Sequence, residues 1–382
     1  MNGARPLRTP RRWEVVHACD HPRQVADMVE AQMTANIRAY VLDRRHSSTS
    51  SSAFLLGAWK DVLDWRRELE AYSATLSLQL PLLHAHSFAA GMAGVRGEQA
   101  VVYDLRNFVD QQAAVERVWL SRSFRAAEQF VFSRAGAVVV HEESLRRSCL
   151  ARGADESQVF MVPDPVFPSE THGLGASSDA SHRFAPGAFR IFADAASAIV
   201  LPALARLAQQ GIAAQAIVCS SSTEKISAAE LHGRIQALGL EHWVRAAEAG
   251  ECASANVEAD LVIADAPPAA IRAMNHQRAL LAADVAELRA VSPDGRGCLW
   301  YEAQASPGSV QSLASRIAFL MKHADFRLAL GESARRHITE TRGPEKVGLL
   351  YENVYAHAWT RKQQGRSPHD RSGSFVPQPS GA

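Results

Sequence analysis

The sequence predicts an α/β protein built from two doubly wound domains, each with a parallel sheet. The first observation is that short apolar runs alternate with amphipathic stretches: residues 13–18 form an apolar run, and Val25, Met28, Val29 and Met33 then recur at helical spacing. The second is that this alternation stops in a Ser-, Gly- and Pro-rich segment at 168–187 and restarts beyond it. Repeated strand–helix–strand order indicates parallel sheets covered by helices on both faces.

The elements of the first domain, residues 13–167, follow from apolar runs bounded by polar residues. Asp20 and Pro22 mark the start of the first helix. We expect strands at 13–18, 38–42, 80–85, 100–103 and in the run ending at residue 140, and a further helix at 144–152. The segment 168–187 is expected to be a linker.

The second domain, residues 188–344, repeats the pattern. We expect strands at 189–192, 214–219, 261–264 and 279–282, and helices at 198–210, 228–238 and 269–276. A last helical stretch covers 345–359, and the tail at 363–382 has the composition of a disordered segment.

Composition excludes several classes of protein. With 41 Lys and Arg against 40 Asp and Glu, the net charge of +1 gives no global attraction to nucleic acid or anionic lipid. No apolar run reaches the roughly 18 residues that span a bilayer, and the arginine-rich start lacks the apolar core of a signal peptide. The five cysteines are widely spaced and odd in number, which argues against a disulfide framework or a zinc site and favours a reducing cytoplasm.

The stretch 261–300 resembles the nucleotide-sugar-binding segment of family 4 glycosyltransferases. Ala273-Met274 keeps the family's A-M pair, Asp284 its aspartate, and Asp294-Gly295 with Gly297 its glycine turn. The family's two glutamates, spaced E-x7-E, are replaced by Ala264 and Arg272. The resemblance implies the GT-B architecture of two Rossmann-like domains facing a cleft, with the helix at 345–359 returning to the first domain. It also implies a retaining transfer without metal or cofactor, with a nucleotide-sugar as substrate.

The donor side departs further from this family. The segment 192–198 contains no cation, although family members bind the donor diphosphate with an Arg and a Lys there, and Ser residues at 220–222 replace a glycine turn. Arg272, Asp284 and Glu287 remain as donor-binding candidates. Arg272 follows Pro267-Pro268 at a predicted helix start and could neutralise phosphate; alternatively it is solvated, or paired with Asp265 or Glu287.

The acceptor side keeps more polar residues at predicted strand ends, where open sheets bind ligands. His84 and His86 occupy the family's H-x-H position, and Asp104 with Arg106 belongs to a stretch at 102–108 that resembles transferases of bacterial exopolysaccharide clusters. His84, His86 and Asp104 are the catalytic candidates. With Arg106 and the neighbouring pair Asp20-His21, they are also the acceptor-binding candidates. The alternative for each is a structural role, in which the histidines cap strands and Asp104 pairs with Arg106.

Two functions remain open at this level. One is a cytoplasmic glycosyltransferase of polysaccharide or glycolipid assembly, with a saccharide or lipid-linked acceptor. The other, favoured by the missing glutamates, is a non-catalytic relative that binds a saccharide or stabilises an active transferase partner. An amphipathic helix at 55–72 with Trp59, Trp65 and basic residues suits peripheral contact with a membrane, or packing on the core.

Overall fold

The chain forms two parallel sheets, as predicted, and each sheet has six strands. The computed structural model describes residues 13–365 except 21–22, 24, 36, 44–53, 77–81, 109–117, 169–183, 186, 196, 213, 220–225 and 248–249. The chain divides into two compact units: Met1–Pro165 with Arg342–Ala382, and Val166–Thr341. Most of the expected linker at 168–187 lies outside the described residues.

The first unit contains a sheet of order β2-β1-β3-β4-β5-β6. Its strands are β1 (Trp13–Cys19), β2 (Ile37–Asp43), β3 (Leu82–Ala85), β4 (Ala100–Leu105), β5 (Ala137–Val140) and β6 (Val159–Met161). Its helices are α1 (Ala26–Met33), α2 (Phe54–Leu76), α3 (Phe88–Gly94), α4 (Val118–Arg134), α5 (Glu143–Ala151) and, from the end of the chain, α13 (Pro344–Gln364). The last helix extends beyond residue 359, so residues 363 and 364 are helical and not part of a disordered tail.

The second unit contains a sheet of order β12-β11-β10-β7-β8-β9. Its strands are β7 (Arg190–Asp194), β8 (Gln215–Cys219), β9 (Val244–Ala246), β10 (Leu261–Ala264), β11 (Ala279–Ala283) and β12 (Leu299–Tyr301). Its helices are α6 (Ser197–Gln209), α7 (Ala228–Ala237), α8 (Cys252–Glu258), α9 (Pro267–Asn275), α10 (Ala286–Val291), α11 (Pro307–Lys322) and α12 (Ala324–Arg342).

Helix α2 contributes to the core of the first unit. Trp65 is fully buried, and Val62 and Leu69 are buried beside it in the same cluster. Leu63 faces solvent. Because the Trp65 ring is inside the core, it is not exposed for contact with a membrane surface. Among the described residues, no helix combines the length and the apolar character that crossing a bilayer requires.

The cysteines correct one expectation. Cys219, at the end of β8, and Cys252, at the start of α8, form a disulfide with their Cα atoms 6.3 Å apart. Cys19, Cys149 and Cys298 are free and buried. The sequence argument against disulfides was wrong for this pair. The two cysteines are 33 positions apart in sequence, but they meet because the end of β8 and the start of α8 lie at the same end of the sheet. The cysteine-based argument for a reducing compartment therefore no longer applies.

Candidate functional site

Strand register brings a cluster of polar side chains onto one face of the first sheet. His17 of β1 lies opposite His84 of β3, and His84 lies opposite Val102 of β4. His86 and Asp104 are two residues beyond His84 and Val102, and side chains two apart on a strand project to the same face. The four polar residues therefore meet at the carboxyl ends of adjacent strands, under α1 and α13.

A chain of short hydrogen bonds joins these residues to the two covering helices. His86 Nδ1 lies 3.0 Å from Asp104 Oδ2, and His86 Nε2 lies 2.9 Å from His17 Nδ1. His17 Nε2 lies 2.8 Å from Gln32 Oε1 of α1. The Gln32 amide donates to the Tyr355 hydroxyl of α13, which lies 2.8 Å from His84 Nδ1. These polar groups are buried, and hydrogen bonding offsets their loss of water.

His141, directly after β5, supplies the charge that balances Asp104. Its Nδ1 lies 2.8 Å from the Val162 carbonyl oxygen and its Nε2 lies 2.8 Å from Asp104 Oδ1. Since both partners are acceptors, both ring nitrogens carry hydrogen and the ring is a cation. Burial opposes this charge, but Asp104 raises the pKa of His141 above its ordinary value. Burial likewise opposes ionisation of Asp104, yet the charge and hydrogen bonds of His141 and His86 hold its pKa well below the usual range.

A cavity of about 370 Å³ opens beside this ion pair, at the same edge of the sheet. Its polar lining comes from the ends of β4, β5 and β6 and from α5 with the residue before it: Arg106, Asn107, His141, Glu142, Ser144, Ser148 and Asp164. Arg106 Nη2 donates to Asp164 Oδ1 at 2.8 Å, and Arg106 Nε lies 3.8 Å from Asp104 Oδ1. The pocket therefore presents paired donors and acceptors from an arginine and a carboxylate.

The acceptor-side residues predicted from sequence separate into two groups. His84, His86 and Asp104 lie in the buried network, with side chains 0%, 6% and 0% exposed, and do not line the cavity. Arg106 lines the cavity. Asp20 lies just after β1 and is partly buried, whereas His21 lies outside the described residues.

Sequence reasoning missed His17, His141, Gln32 and Tyr355. His141 follows the buried strand β5 directly, the same signal that identified His84 and Asp104, so it could have been found. His17 required the register of β1 against β3, and Gln32 and Tyr355 required the packing of two helices that are 323 residues apart in sequence. A single sequence does not contain that information.

In the second unit, Asp194 and Asp265 lie at the carboxyl ends of the neighbouring strands β7 and β10. Asp194 ends β7, and the Asp265 amide donates to its carbonyl oxygen at 3.1 Å. Burial and the negative charge of Asp265 raise the pKa of Asp194 to about 6, and Arg272 opposes this. Arg272 is partly buried on α9, and its guanidinium forms no ion pair within 4.0 Å with any described residue. The ion pairs with Asp265 or Glu287 that the sequence left open are therefore not formed. Arg272 also lies in the last turn of α9, and not in the first turn as predicted, because the helix has nine residues.

The remaining donor-side candidates lie on the surface. Asp284 accepts two hydrogen bonds from Arg289, at 2.7 and 2.8 Å, and Glu287 is exposed on α10. Ala264, which replaces the first family glutamate, is fully buried in β10. The retained glycine turn has a packing reason, because Gly297 has φ +77° and a Cβ there would lie 2.2 Å from Ala334 Cα of α12.

Comparison with known proteins shows the fold alone. No protein-family model and no curated protein sequence matches the chain. A glycosyltransferase from Rickettsia africae is 11% identical with a TM-score of 0.64, covering 91% of this chain and 99% of its own. Sucrose-phosphate synthase from Thermosynechococcus elongatus is 15% identical with a TM-score of 0.58, covering 91% and 100%. Anabaena HepE in complex with UDP-glucose is 12% identical with a TM-score of 0.59, covering 89% and 99%. The two sheets of this chain thus match the GT-B Rossmann-like fold of glycosyltransferases.

Proposed function

We propose that this protein is a glycosyltransferase that moves a sugar from a nucleotide-sugar to a saccharide or lipid-linked acceptor. The observation that carries the proposal is the pocket in the first unit, where Arg106, His141 and Asp164 meet at the carboxyl edge of a doubly wound sheet. Open α/β sheets bind their ligands at this edge. The likeness to solved glycosyltransferases supports the reaction class, although fold by itself does not determine activity.

The pocket has the chemistry that a saccharide requires. Sugar hydroxyls both donate and accept hydrogen bonds, and here Asp164 and Glu142 accept while Arg106 and Asn107 donate. The volume of about 370 Å³ lies within the range of roughly 300–1,000 Å³ typical of small-molecule sites. We therefore assign the acceptor to this pocket.

Transfer forms a bond from an acceptor hydroxyl oxygen to the anomeric carbon and breaks the bond from that carbon to the diphosphate. The hydroxyl proton must pass to a base. Both nitrogens of His141 already donate, to Val162 and Asp104, so the Asp164 carboxylate is the better base among the pocket residues. The buried His84, His86 and Asp104 then position His141 and Arg106 without contacting the acceptor.

The test uses the tag-free protein with sugars of uridine, guanosine and thymidine diphosphate. Release of nucleoside diphosphate in the presence of saccharide acceptors is measured by coupled assay. Asp164→Ala and Arg106→Ala should each lower the rate by roughly tenfold or more, since a charge-assisted hydrogen bond contributes about 1.5–3 kcal/mol. Arg146→Ala is the matched control, because Arg146 pairs with Glu156 at 2.7 Å on α5 outside the pocket. Equal effects from Arg146 and Arg106 would contradict the assignment.

A second candidate is a saccharide-binding relative without transferase activity. The donor side favours it, because the negative charges of Asp194 and Asp265 would repel a diphosphate. The positive charge of Arg272 acts on Asp194 in the opposite direction, but it stands against two carboxylates. Thermal-shift measurements separate the two functions. Stabilisation by nucleotide-sugars supports the transferase, while stabilisation by saccharides alone supports the binding protein. In either case we place the protein in bacterial polysaccharide or glycolipid assembly, on the resemblance of residues 102–108.

A further inference from the structure

Three histidines of the first unit meet at one buried point. His17, His84 and His86 each offer a ring nitrogen, and these nitrogens lie within 4.8 Å of one another. The side chains of His17 and His84 are fully buried, and His86 is 6% exposed. None of the three lines the acceptor pocket, so the proposed transfer reaction does not use them directly.

The outer nitrogen of each ring already has an oxygen partner. His17 Nε2 faces Gln32 Oε1 at 2.8 Å, His84 Nδ1 faces the Tyr355 hydroxyl at 2.8 Å, and His86 Nδ1 faces Asp104 Oδ2 at 3.0 Å. Metal-binding histidines characteristically donate their second N–H to a carboxylate, carbonyl or other oxygen, which fixes the tautomer and the ring orientation. All three rings here have that support.

The second nitrogen of each ring has no oxygen partner within hydrogen-bonding distance among the described residues. With hydrogen on the outer nitrogens, His17 Nδ1 and His86 Nε2 present lone pairs to each other across 2.9 Å, which requires a cation between them, either a proton or a metal ion. His84 Nε2 is buried and makes no hydrogen bond to any described residue. An unpartnered buried nitrogen of this kind destabilises the folded protein unless a ligand uses it.

We propose that His17 Nδ1, His84 Nε2 and His86 Nε2 bind a divalent transition-metal ion of the zinc class. Imidazole suits Zn²⁺ at about 2.0–2.1 Å, and tetrahedral geometry places ligand nitrogens about 3.3 Å apart. On metal binding, His17 and His86 would separate by a few tenths of an ångström, and nitrogens near the 4.8 Å limit of the group would approach by about 1.5 Å. A water supplies the fourth ligand, because Asp104 Oδ2 is already the hydrogen-bond partner of His86 Nδ1.

The ion would also have a structural effect. Since Tyr355 and Gln32 support two of the ligands from α13 and α1, the ion would tie both helices to the sheet. Its role is structural, since the ion would not contact the acceptor.

The test is a titration of tag-free, chelator-treated full-length protein with Zn²⁺ and, separately, Co²⁺. We expect one equivalent of metal to bind, the unfolding temperature to rise, and Co²⁺ to show the visible absorption of a tetrahedral nitrogen site. X-ray absorption should find three imidazole ligands. Absence of stoichiometric binding to the wild-type protein would overturn the proposal without any variant.

Variants locate the ion. His84→Ala and His17→Ala should abolish binding, while Gln32→Met, which removes the support of His17, should weaken it roughly 10- to 100-fold. His232→Ala is the control, because His232 is exposed on α7 of the second unit. Circular dichroism of each metal-free variant checks that it is folded. If a variant does not fold, the Co²⁺ absorption spectrum of the wild-type protein still decides whether the site exists. Metal binding that survives in folded His84→Ala protein would place the ion elsewhere and refute the site.

Discussion

At the scale of single residues, Asp104 holds the polar network together. Its two carboxylate oxygens accept from His141 at 2.8 Å and His86 at 3.0 Å, and its side chain is completely buried. A buried ion pair contributes little net stability, but removing one partner leaves an uncompensated charge in a medium of low dielectric constant. Asp104 is therefore the most sensitive polar position of the first unit.

We expect Asp104→Asn to lower the free energy of unfolding by about 3–5 kcal/mol, because the His141 cation loses its counter-ion. Denaturant unfolding followed by circular dichroism measures the change. The control is Asp284→Asn, which removes a carboxylate from an exposed pair with Arg289 and should change the free energy of unfolding far less. Similar losses in the two variants would show that His141 is neutral or satisfied elsewhere.

The raised pKa of Asp194 leads to a prediction about how the stability of the protein depends on pH. Its folded pKa of about 6 lies above the unfolded value near 3.8, so the folded state binds more protons between these values. Stability therefore falls as pH rises from about 4 to 6, and the penalty is fully present above pH 6. Asp194→Asn removes it. We expect the variant to be more stable than wild type at pH 7.5 by about 1–2 kcal/mol, allowing for partial solvent screening, and equally stable at pH 4.

Urea unfolding at the two pH values tests this. Asp260→Asn provides a contrast of opposite sign: burial opposes its ionisation, but hydrogen bonds from Arg190 lower its pKa, so this variant should be destabilising at pH 7.5 and less so in acid. A gain for Asp194→Asn that is the same at both pH values would rule out ionisation as its cause.

At the scale of elements, close packing of α13 on α1 depends on a glycine. A Cβ built on Gly348 would lie 2.7 Å from the Ala31 carbonyl oxygen and 2.9 Å from Ala35 Cβ. The same approach lets Tyr355 reach Gln32 and His84. The position of α13 over the histidine cluster is thus set by a backbone contact.

We expect Gly348→Ala to destabilise the protein by about 1–3 kcal/mol, because backbone atoms must shift to admit the methyl group. Gly233→Ala in α7 is the matched control, since no atom lies within 4 Å of its built Cβ. That change should stabilise by about 0.5–1 kcal/mol through helix propensity. Thermal unfolding measures both, and a stabilising Gly348→Ala would show that the two helices are less closely packed.

Short apolar runs predicted the central strands well, because those strands are buried on both faces of a parallel sheet. They did not predict β6, β9 and β12. Each of these has three residues and lies at a sheet edge, too short for any periodicity. The site was predicted only in part. The predicted strand ends identified His84, His86, Asp104 and Arg106. Most of the partners that determine the chemistry of these residues are set by strand register and by helix packing.

At the scale of the whole molecule, the first unit is made of two separated stretches of the chain. Residues before 166 supply its sheet, and α13 at the end of the chain covers the face that carries the histidines. Val347, Tyr351, Val354 and Tyr355 of this helix are each at most 1% exposed. The first unit is therefore incomplete until the second has been synthesised.

Removal of residues 344–382 should unfold the first unit and leave the second folded. Each of the four large buried side chains of α13 contributes about 1.5–3 kcal/mol, and their combined loss exceeds the lower end of about 5 kcal/mol for domain stability. The second unit keeps its own core, which lies within 184–338. Calorimetry should therefore show the unfolding transition of the second unit alone. The fluorescence of the tyrosines and tryptophans of the first unit should already be that of an unfolded chain.

Deletion of 366–382 is the control, because it leaves α13 whole and should preserve both transitions. If the larger deletion also preserved both, α13 would be dispensable, and the histidine cluster would be held by the sheet without its helical cover.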